Sequence, residues 1–308
     1  MDTGAAGAKA AVGSLGGGAN AIHIATTEDL GGGMRAGTNF EMRFNSASGD
    51  RTSSSAGAGL FHNANVFVGG AFGTLRMGKI SEASNCGFDA WGCTGGAGMM
   101  AGHAVAAGHA STSLSALVGA AGVANSVSYT TPTINGFSAS YQTSVTARVN
   151  ERSAFALNYA KGPLTAQVLR TESTGNTAGT DAGAANILDG NGQSTSIAAG
   201  YNFGVARLNV FNVKTDQFTA FTGTTTAAIT AANVNRDITG FTASMPMGAT
   251  TLLAGWMKDK KAAANADTKI AVGANYALSK RTTLGADLFK SEALNAGTGF
   301  VVRARHTF

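Results

Sequence analysis

Long apolar runs, charged residues and cysteines are all scarce in this sequence of 308 residues. No stretch approaches the roughly 20 consecutive apolar residues that a membrane-spanning helix requires. Charged residues make up only 13% of the chain, which is too few for a disordered protein, and a mean hydropathy of +0.06 is too low for a helical membrane protein. Any role in a membrane would therefore need β-strands, because only helices and closed barrels span a bilayer.

Signals for catalysis and for nucleic-acid binding are also missing. The net charge is only +5, and no Lys/Arg cluster of the kind that follows a nucleic-acid backbone is present, so we expect no nucleic-acid partner. The five histidines belong to no catalytic motif, and the chain has no nucleophile elbow. His103 and His109, with Met99 and Met100, have a spacing that matches no metal-binding motif. We therefore expect no enzymatic activity, no metal and no cofactor.

The chain is instead rich in glycine, and apolar and polar residues alternate along short segments of it. Its 43 glycines, together with many Ala, Thr, Ser and Asn residues, favour strands and turns over helices. The clearest strand spans residues 34–44, where Met34, Phe40 and Met42 share one face and Arg35 and Arg43 share the other. One face of this strand suits lipid and the other suits water.

The same alternation recurs in seven hairpins, each closed by a short turn that contains Gly, Asn, Pro or a charged residue. The connections between hairpins, such as 172–194 and 216–235, are long and polar. Short turns at one end and long loops at the other are typical of an outer-membrane β-barrel. The predicted hairpins are 22–44, 66–80, 126–148, 154–170, 195–214, 238–257 and 269–289.

Residues 299–308 supply a fifteenth strand, and a weak segment at 8–15 supplies a sixteenth. An even number of strands closes the sheet, so that no strand edge is left unpaired in lipid. We therefore predict an all-β protein, a closed antiparallel transmembrane barrel formed by residues 1–308 as one domain. A 16-stranded barrel is wide enough to enclose water.

Four segments resemble the general porins of Gram-negative bacteria, particularly the type common in β-proteobacteria. They are Thr27–Ala36 (TEDLGGGMRA), the pair VFVG and FGTLRMGK at 66–69 and 72–79, the pair NSVSYT and GFSA at 125–130 and 136–139, and the C-terminal RHTF at 305–308. Each motif is short, but they occur in the family's order with loops of the expected kind between them. The resemblance covers residues 22–308.

This resemblance implies a passive, water-filled outer-membrane channel for small hydrophilic solutes and ions. It also implies a homotrimer, surrounded by the lipid and lipopolysaccharide of the outer membrane, with Phe308 as the assembly signal. The N-terminus shows no signal peptide, so we expect an exported protein in its mature form. Two alternatives stay open: a substrate-specific channel, and a barrel whose long loops bind a partner at the cell surface.

Relatives fold the loop after the 72–79 motif into the lumen, so we expect residues 81–124 to form the constriction. Its acids are Glu82 and Asp89. We predict that Arg35, Arg76 and Arg148 form the opposing basic wall and give a mild anion preference. An ordinary solvated charge away from the narrowest point is an equally good interpretation of each. Further charges expected in the lumen are Arg43, Lys79, Arg303 and Arg305.

The chain's two cysteines, Cys86 and Cys93, both lie in the expected constriction loop. In an oxidising compartment this spacing favours an intraloop disulfide, and the alternative is a pair of inert thiols.

Overall fold

The computed structural model describes residues 20–44, 60–81, 83–92, 98–99, 122–145, 151–174, 192–216, 219–222, 230–233, 235–261, 268–292 and 297–308. Fifteen strands form one antiparallel sheet, in which each strand pairs with the strands of the sheet that precede and follow it in the sequence. Within these ranges no helix is long and apolar enough to span a membrane.

The strands of the sheet have the following bounds: β1 Asn20–Gly31, β2 Met34–Phe44, β3 Asn63–Gly70, β4 Gly73–Ser81, β5 Gly122–Thr130, β6 Phe137–Ser144, β7 Glu151–Lys161, β8 Leu164–Thr174, β9 Gly192–Asn202, β10 Arg207–Asp216, β13 Arg236–Met247, β14 Thr250–Asp259, β15 Thr268–Ala277, β16 Thr282–Ser291 and β17 Gly297–His306. A separate two-stranded hairpin, β11 Thr219–Thr222 with β12 Thr230–Asn233, lies between β10 and β13.

The seven predicted hairpins and the C-terminal strand are confirmed as these fifteen strands. The sixteenth prediction, at residues 8–15, lies outside the described residues. The β11–β12 hairpin was not predicted, because its strands are only four residues long and their Thr and Ala residues also suit a loop.

Turns at one end of the sheet are short because glycines there adopt the left-handed region. Gly162 follows β7 with φ of +58°, and Gly248 follows β13 with φ of +62°. An L side chain rarely adopts this conformation, so glycine allows the chain to reverse within two residues. We call this end the short-turn rim and the opposite end the long-loop rim.

Register divides the sheet into two faces, since Cα partners share a face and side chains alternate. The polar face carries Arg35, Arg76 and Gln142, among others. The apolar face carries large exposed side chains such as Ile24 and Leu288. Near the short-turn rim the apolar face holds aromatic residues, and the Phe137 and Tyr159 ring centroids are 4.6 Å apart. Aromatic girdles of this kind lie at the membrane interfaces of outer-membrane barrels.

The sheet curves toward its polar face. Asp287 on β16 accepts a hydrogen bond from Trp91, which follows β4 by ten residues. Ten strand spacings separate β4 from β16, which is about 48 Å across a flat sheet at about 4.8 Å per spacing. The chain from Ser81 to Trp91 includes a 3-10 turn at Cys86–Phe88 and reaches only about 30 Å. Only a strongly curved sheet brings the two side chains together.

Candidate functional site

The described part of the connection between β4 and β5 packs on the polar face of β9, β10 and β13–β17. We call residues 83–92 and 98–99 the crossing segment. Its Phe88, Trp91 and Met99 are buried in an apolar cluster. The sheet residues of that cluster are Ala198, Phe211, Val213, Ile238, Leu253, Met257, Ala271, Phe289 and Val301. Burial of these side chains is the main stabilising contribution to the contact.

Gly255 on β14 provides the space into which the crossing segment fits. A Cβ at this position would lie 2.8 Å from Met99 Cγ and 3.0 Å from Trp91 Cζ3. Both distances are shorter than van der Waals contact, so any side chain here would push the segment away from the sheet.

Polar contacts fix the segment at three points. Trp91 Nε1 donates to Asp287 Oδ1 over 2.9 Å, and Asp287 also pairs with Arg303, whose Nε lies 2.8 Å from Oδ2. Thr242 Oγ1 donates to the Phe88 carbonyl at 2.9 Å, and Lys269 Nζ donates to the Gly98 carbonyl at 2.6 Å. Because these groups are buried, an unmade bond would cost more than at the surface.

A basic wall lies on the polar face of β2–β4. The guanidinium carbon of Arg76 sits 5.1 Å from the centre of the Phe67 ring, an arrangement that favours a cation. Gly69 is the register partner of Arg35, and a Cβ added there would be in ordinary van der Waals contact with Arg35 Nε, at 3.7 Å. Arg35 and Arg76 lie close enough for their positive charges to repel each other, and this part of the face therefore carries two neighbouring cations.

Cations outnumber acids on the polar face of the described strands. The cations are Arg35, Arg43, Arg76, Arg152, Arg207, Arg236, Lys269, Arg303 and Arg305. The acids are Asp29, Glu41, Asp259 and Asp287. Three of these acids are ion-paired on the same face: Glu41 with Arg43, Asp259 with Arg236 and Asp287 with Arg303. The face therefore carries a positive excess, and most of its negative charge is neutralised locally.

Comparison with known proteins decides the family. The family model described as Gram-negative porin matches residues 1–293. This chain belongs to the Gram-negative porin family. Porins are passive outer-membrane channels, so the chain is not an enzyme and its location is the bacterial outer membrane. No curated protein matches the chain.

Solved structures of porins share the fold. The anion-selective porin from Comamonas acidovorans is 23% identical, with 95% of this chain and 90% of that chain covered and a TM-score of 0.67. A loop-deletion mutant of OmpT, an outer membrane protein of Vibrio cholerae, is 14% identical, with coverage of 96% and 94% and a TM-score of 0.62. A mutant of the Rh. blastica porin is 17% identical, with coverage of 94% and 89% and a TM-score of 0.60.

The structure brings several of the predicted lumen residues of this porin onto one face. Arg35, Arg43, Arg76, Arg303 and Arg305 all lie on the polar face, as strand parity predicts. Two of them are ion-paired, Arg43 with Glu41 and Arg303 with Asp287. Arg35 and Arg76 remain predicted cations of the wall, and Arg305 remains a predicted lumen charge outside it.

Lys79 and Asp89 are placed differently from the sequence-based expectation. Lys79 is the register partner of Ala64, which alternates with Val66 and so belongs to the apolar face. A register shift after Gly78 accompanies this placement. Asp89 is only 4% exposed, and its charge acts on the buried Lys269. Lys79 therefore does not share a face with Arg76, and Asp89 supplies no exposed acid opposite the basic wall.

Other predicted residues lie outside the described residues, namely Glu82, Arg148 and Cys93. Cys86 begins the 3-10 turn, packs against the apolar cluster and has no free thiol. Its bridge to Cys93 stays a prediction.

Sequence reasoning missed Arg207 and the anchors of the crossing segment. Arg207 is the first residue of β10 and lies on the polar face, and its Nη2 donates to Thr165 Oγ1 at 2.8 Å. The strand parity that selected Arg35 also selects Arg207, so this residue was open to prediction. The Trp91–Asp287 contact has no comparable signal, because the two residues are 196 positions apart.

Proposed function

We propose that the sheet of this porin closes into a barrel and that the crossing segment narrows its lumen. The observation that carries this proposal is the hydrogen bond between Trp91 and Asp287, which requires a sheet curved around its polar face. An open sheet would leave rows of unpaired backbone groups on β1 and β17, and each such group is costly in lipid. Closure through a sixteenth strand removes those edges.

In this arrangement the open passage lies between the crossing segment and the wall of β1–β8. The segment is anchored to β9, β10 and β13–β17, so the side of the lumen that it leaves open carries Arg35 and Arg76. On β5 and β6 the described polar-face side chains are neutral, namely Ser126, Ser128, Thr130, Ser138, Ser140, Gln142 and Ser144. This passage suits small hydrophilic solutes because it offers hydrogen-bonding groups without an apolar track.

The positive excess of the wall gives the channel a mild preference for anions. Across lumen water each charge acts through a high dielectric, and at about 0.15 M salt its reach is roughly 8 Å. The charge therefore biases the passage of ions and does not exclude cations. The similarity to an anion-selective porin supports the sign of this preference. We further propose that the protein is a homotrimer, as porins typically are.

Single-channel recording in planar bilayers tests this proposal. Purified protein should give stable, step-like currents that rise in proportion to salt concentration, as expected for diffusion through water. Saturation of the current by one solute would instead indicate a substrate-specific channel. Absence of any channel activity from protein that migrates as folded on a heat-modifiability gel would overturn the proposal and favour a surface-binding barrel.

A further inference from the structure

Phe67 places an aromatic ring on a part of the polar face that holds no other. On strands β1–β8 it is the only Phe, Tyr or Trp among the described side chains of that face. It lies in one row of register partners, between Gly37 on β2 and Arg76 on β4. The three residues are therefore side by side on the same face of neighbouring strands.

Gly37 leaves the space that the ring of Phe67 occupies. A Cβ at position 37 would be 2.9 Å from both Cε1 and Cζ of Phe67, which is closer than van der Waals contact. The ring therefore extends from β3 across Gly37, in the direction of β2. In this position the side chain of Phe67 is partly buried.

The guanidinium of Arg76 lies over this ring, with its central carbon 5.1 Å from the ring centre. This position brings the guanidinium toward β2, where Arg35 precedes Gly37 by two residues on the same face. The charges of Arg35 and Arg76 repel each other. The face of an aromatic ring attracts a cation, so the contact with Phe67 offsets part of this repulsion.

The ring holds Arg76 without neutralising its charge and without occupying its hydrogen-bond donors. Among the described residues, none accepts a hydrogen bond from the guanidinium of Arg76 or forms an ion pair with it. Other arginines of the polar face are held by polar partners: Arg43 by Glu41, Arg207 by Asn209 and Thr165, Arg236 by Asp259, and Arg303 by Asp287. A guanidinium has five N–H donors, and those of Arg76 stay available to a solute in the passage.

We propose that Phe67 is the positioning residue of the basic wall, because it holds Arg76 beside Arg35 and thereby sets how strongly the passage favours anions. The proposal rests on the proposed function, since it requires the polar face of β2–β4 to border the passage. A cation over a ring at a partly exposed site gains about two- to fivefold in the population of the bound position. Phe67 carries no charge and acts on ions only through Arg76.

Fluorination of the Phe67 ring tests the proposal with little change in the shape of the side chain. Phenylalanine with one, two or three ring fluorines is incorporated at position 67, and the zero-current potential is measured in a KCl gradient at low salt. Fluorine withdraws electrons from the ring face and so weakens its attraction for a cation. The chloride-to-potassium permeability ratio should fall with each added fluorine, by about twofold in total.

Ordinary substitutions extend the test, each in protein that migrates as folded on a heat-modifiability gel. Phe67→Leu removes the ring and should lower the permeability ratio, whereas Phe67→Tyr retains the ring and should keep the wild-type ratio. In an Arg76→Ala background, neither Phe67→Leu nor fluorination should change the ratio further, because an effect transmitted through Arg76 is lost with it. The matched control is Phe155→Leu, the same change at an exposed position on the apolar face of β7, and it should leave the ratio unchanged.

The outcomes separate this proposal from the proposed function. If Arg76→Ala lowers the ratio but fluorination does not, the role of Phe67 is overturned and the anion preference stands. If Phe67→Leu has an equal effect with and without Arg76, the role of Phe67 is again overturned, since the ring would then act on the passage directly. If Arg76→Ala leaves the ratio unchanged, Arg76 has no part in the preference and both proposals for this wall are wrong.

Discussion

The indole nitrogen of Trp91 donates a 2.9 Å hydrogen bond to Asp287, which is itself paired with Arg303. Trp91 and Asp287 are 4% and 2% exposed, so the bond is shielded from water. It joins the segment that follows β4 to a strand ten positions away in the sheet. Through this contact the position of the crossing segment depends on β16, which carries Asp287, and on β17, which carries Arg303.

Replacing Trp91 by Phe should loosen the crossing segment. The change removes the only indole donor at Asp287 but retains an aromatic ring, and a buried hydrogen bond to a charged group contributes about 1.5–3 kcal/mol. We expect larger current fluctuations in single-channel records and a lower thermal midpoint. Trp256→Phe is the control, since Trp256 stacks on Phe241 on the apolar face. Equal noise in both variants would contradict the anchoring role.

The two tryptophans also report which face contacts lipid. They are the only tryptophans of the chain, so each variant above retains a single tryptophan. In vesicles of brominated lipid, the fluorescence of Trp256 should be strongly quenched and that of Trp91 should not. Quenching of Trp91 to the same extent would place the crossing segment in lipid and exclude it from a lumen.

Gly255→Val should displace the crossing segment toward the Arg35 and Arg76 wall. A Cβ at this position already approaches Met99 Cγ to 2.8 Å, and the branched side chain adds two methyl groups to that conflict. We expect a lower single-channel conductance with more fluctuation. Ala254→Val adds the same bulk to the apolar face of the same strand and should conduct normally. Unaltered conductance in Gly255→Val would show that the segment does not border the passage.

The order of the strands and the face on which each side chain lies were predictable, because the alternation of apolar and polar residues is a local property of the sequence. Arg35, Arg43 and Arg76 follow from parity within their own strands, and the same argument applies to Arg207. Lys79 lies three residues after Arg76, so alternation alone places it on the opposite face, and its pairing with Ala64 agrees. The irregularity comes next to it, where Gly78 adopts φ of +131° and the register with β5 shifts. A Cβ at Gly78 would lie 2.4 Å from the Ala64 carbonyl oxygen, so the glycine itself was the available signal of an irregularity.

The anchors of the crossing segment were not predictable from local pattern. Alternation along β15 places Lys269 on the polar face, where a solvated side chain would be expected. Instead it is buried beneath the crossing segment and donates a hydrogen bond to the Gly98 carbonyl. Asp89 appears as one of two acids in its loop, yet it is buried as well. Both placements depend on contacts between parts of the chain more than 150 residues apart, about which alternation carries no information.

A disulfide between Cys86 and Cys93 should stiffen the crossing segment. A bridge that closes a loop of this length stabilises by about 2–3 kcal/mol in the loop-entropy account. Alkylation of unfolded, non-reduced protein followed by mass spectrometry should show no modified cysteine, and two modified cysteines should appear after reduction. Two alkylated thiols without reduction would contradict the prediction. Cys86→Ser should lower the thermal midpoint, whereas Ser84→Ala, a matched change nearby, should not.

The zero-current potential in asymmetric KCl at low salt tests the central claim most directly. For the wild-type porin we predict a potential that is negative on the dilute side, since chloride crosses more readily than potassium. Replacing Arg35, Arg76 and Arg148 by Ala should shift this potential toward cation preference, and the shift should shrink as salt rises and screening shortens the reach of each charge. An unchanged potential in the triple variant, or a cation preference in the wild-type protein, would contradict the account.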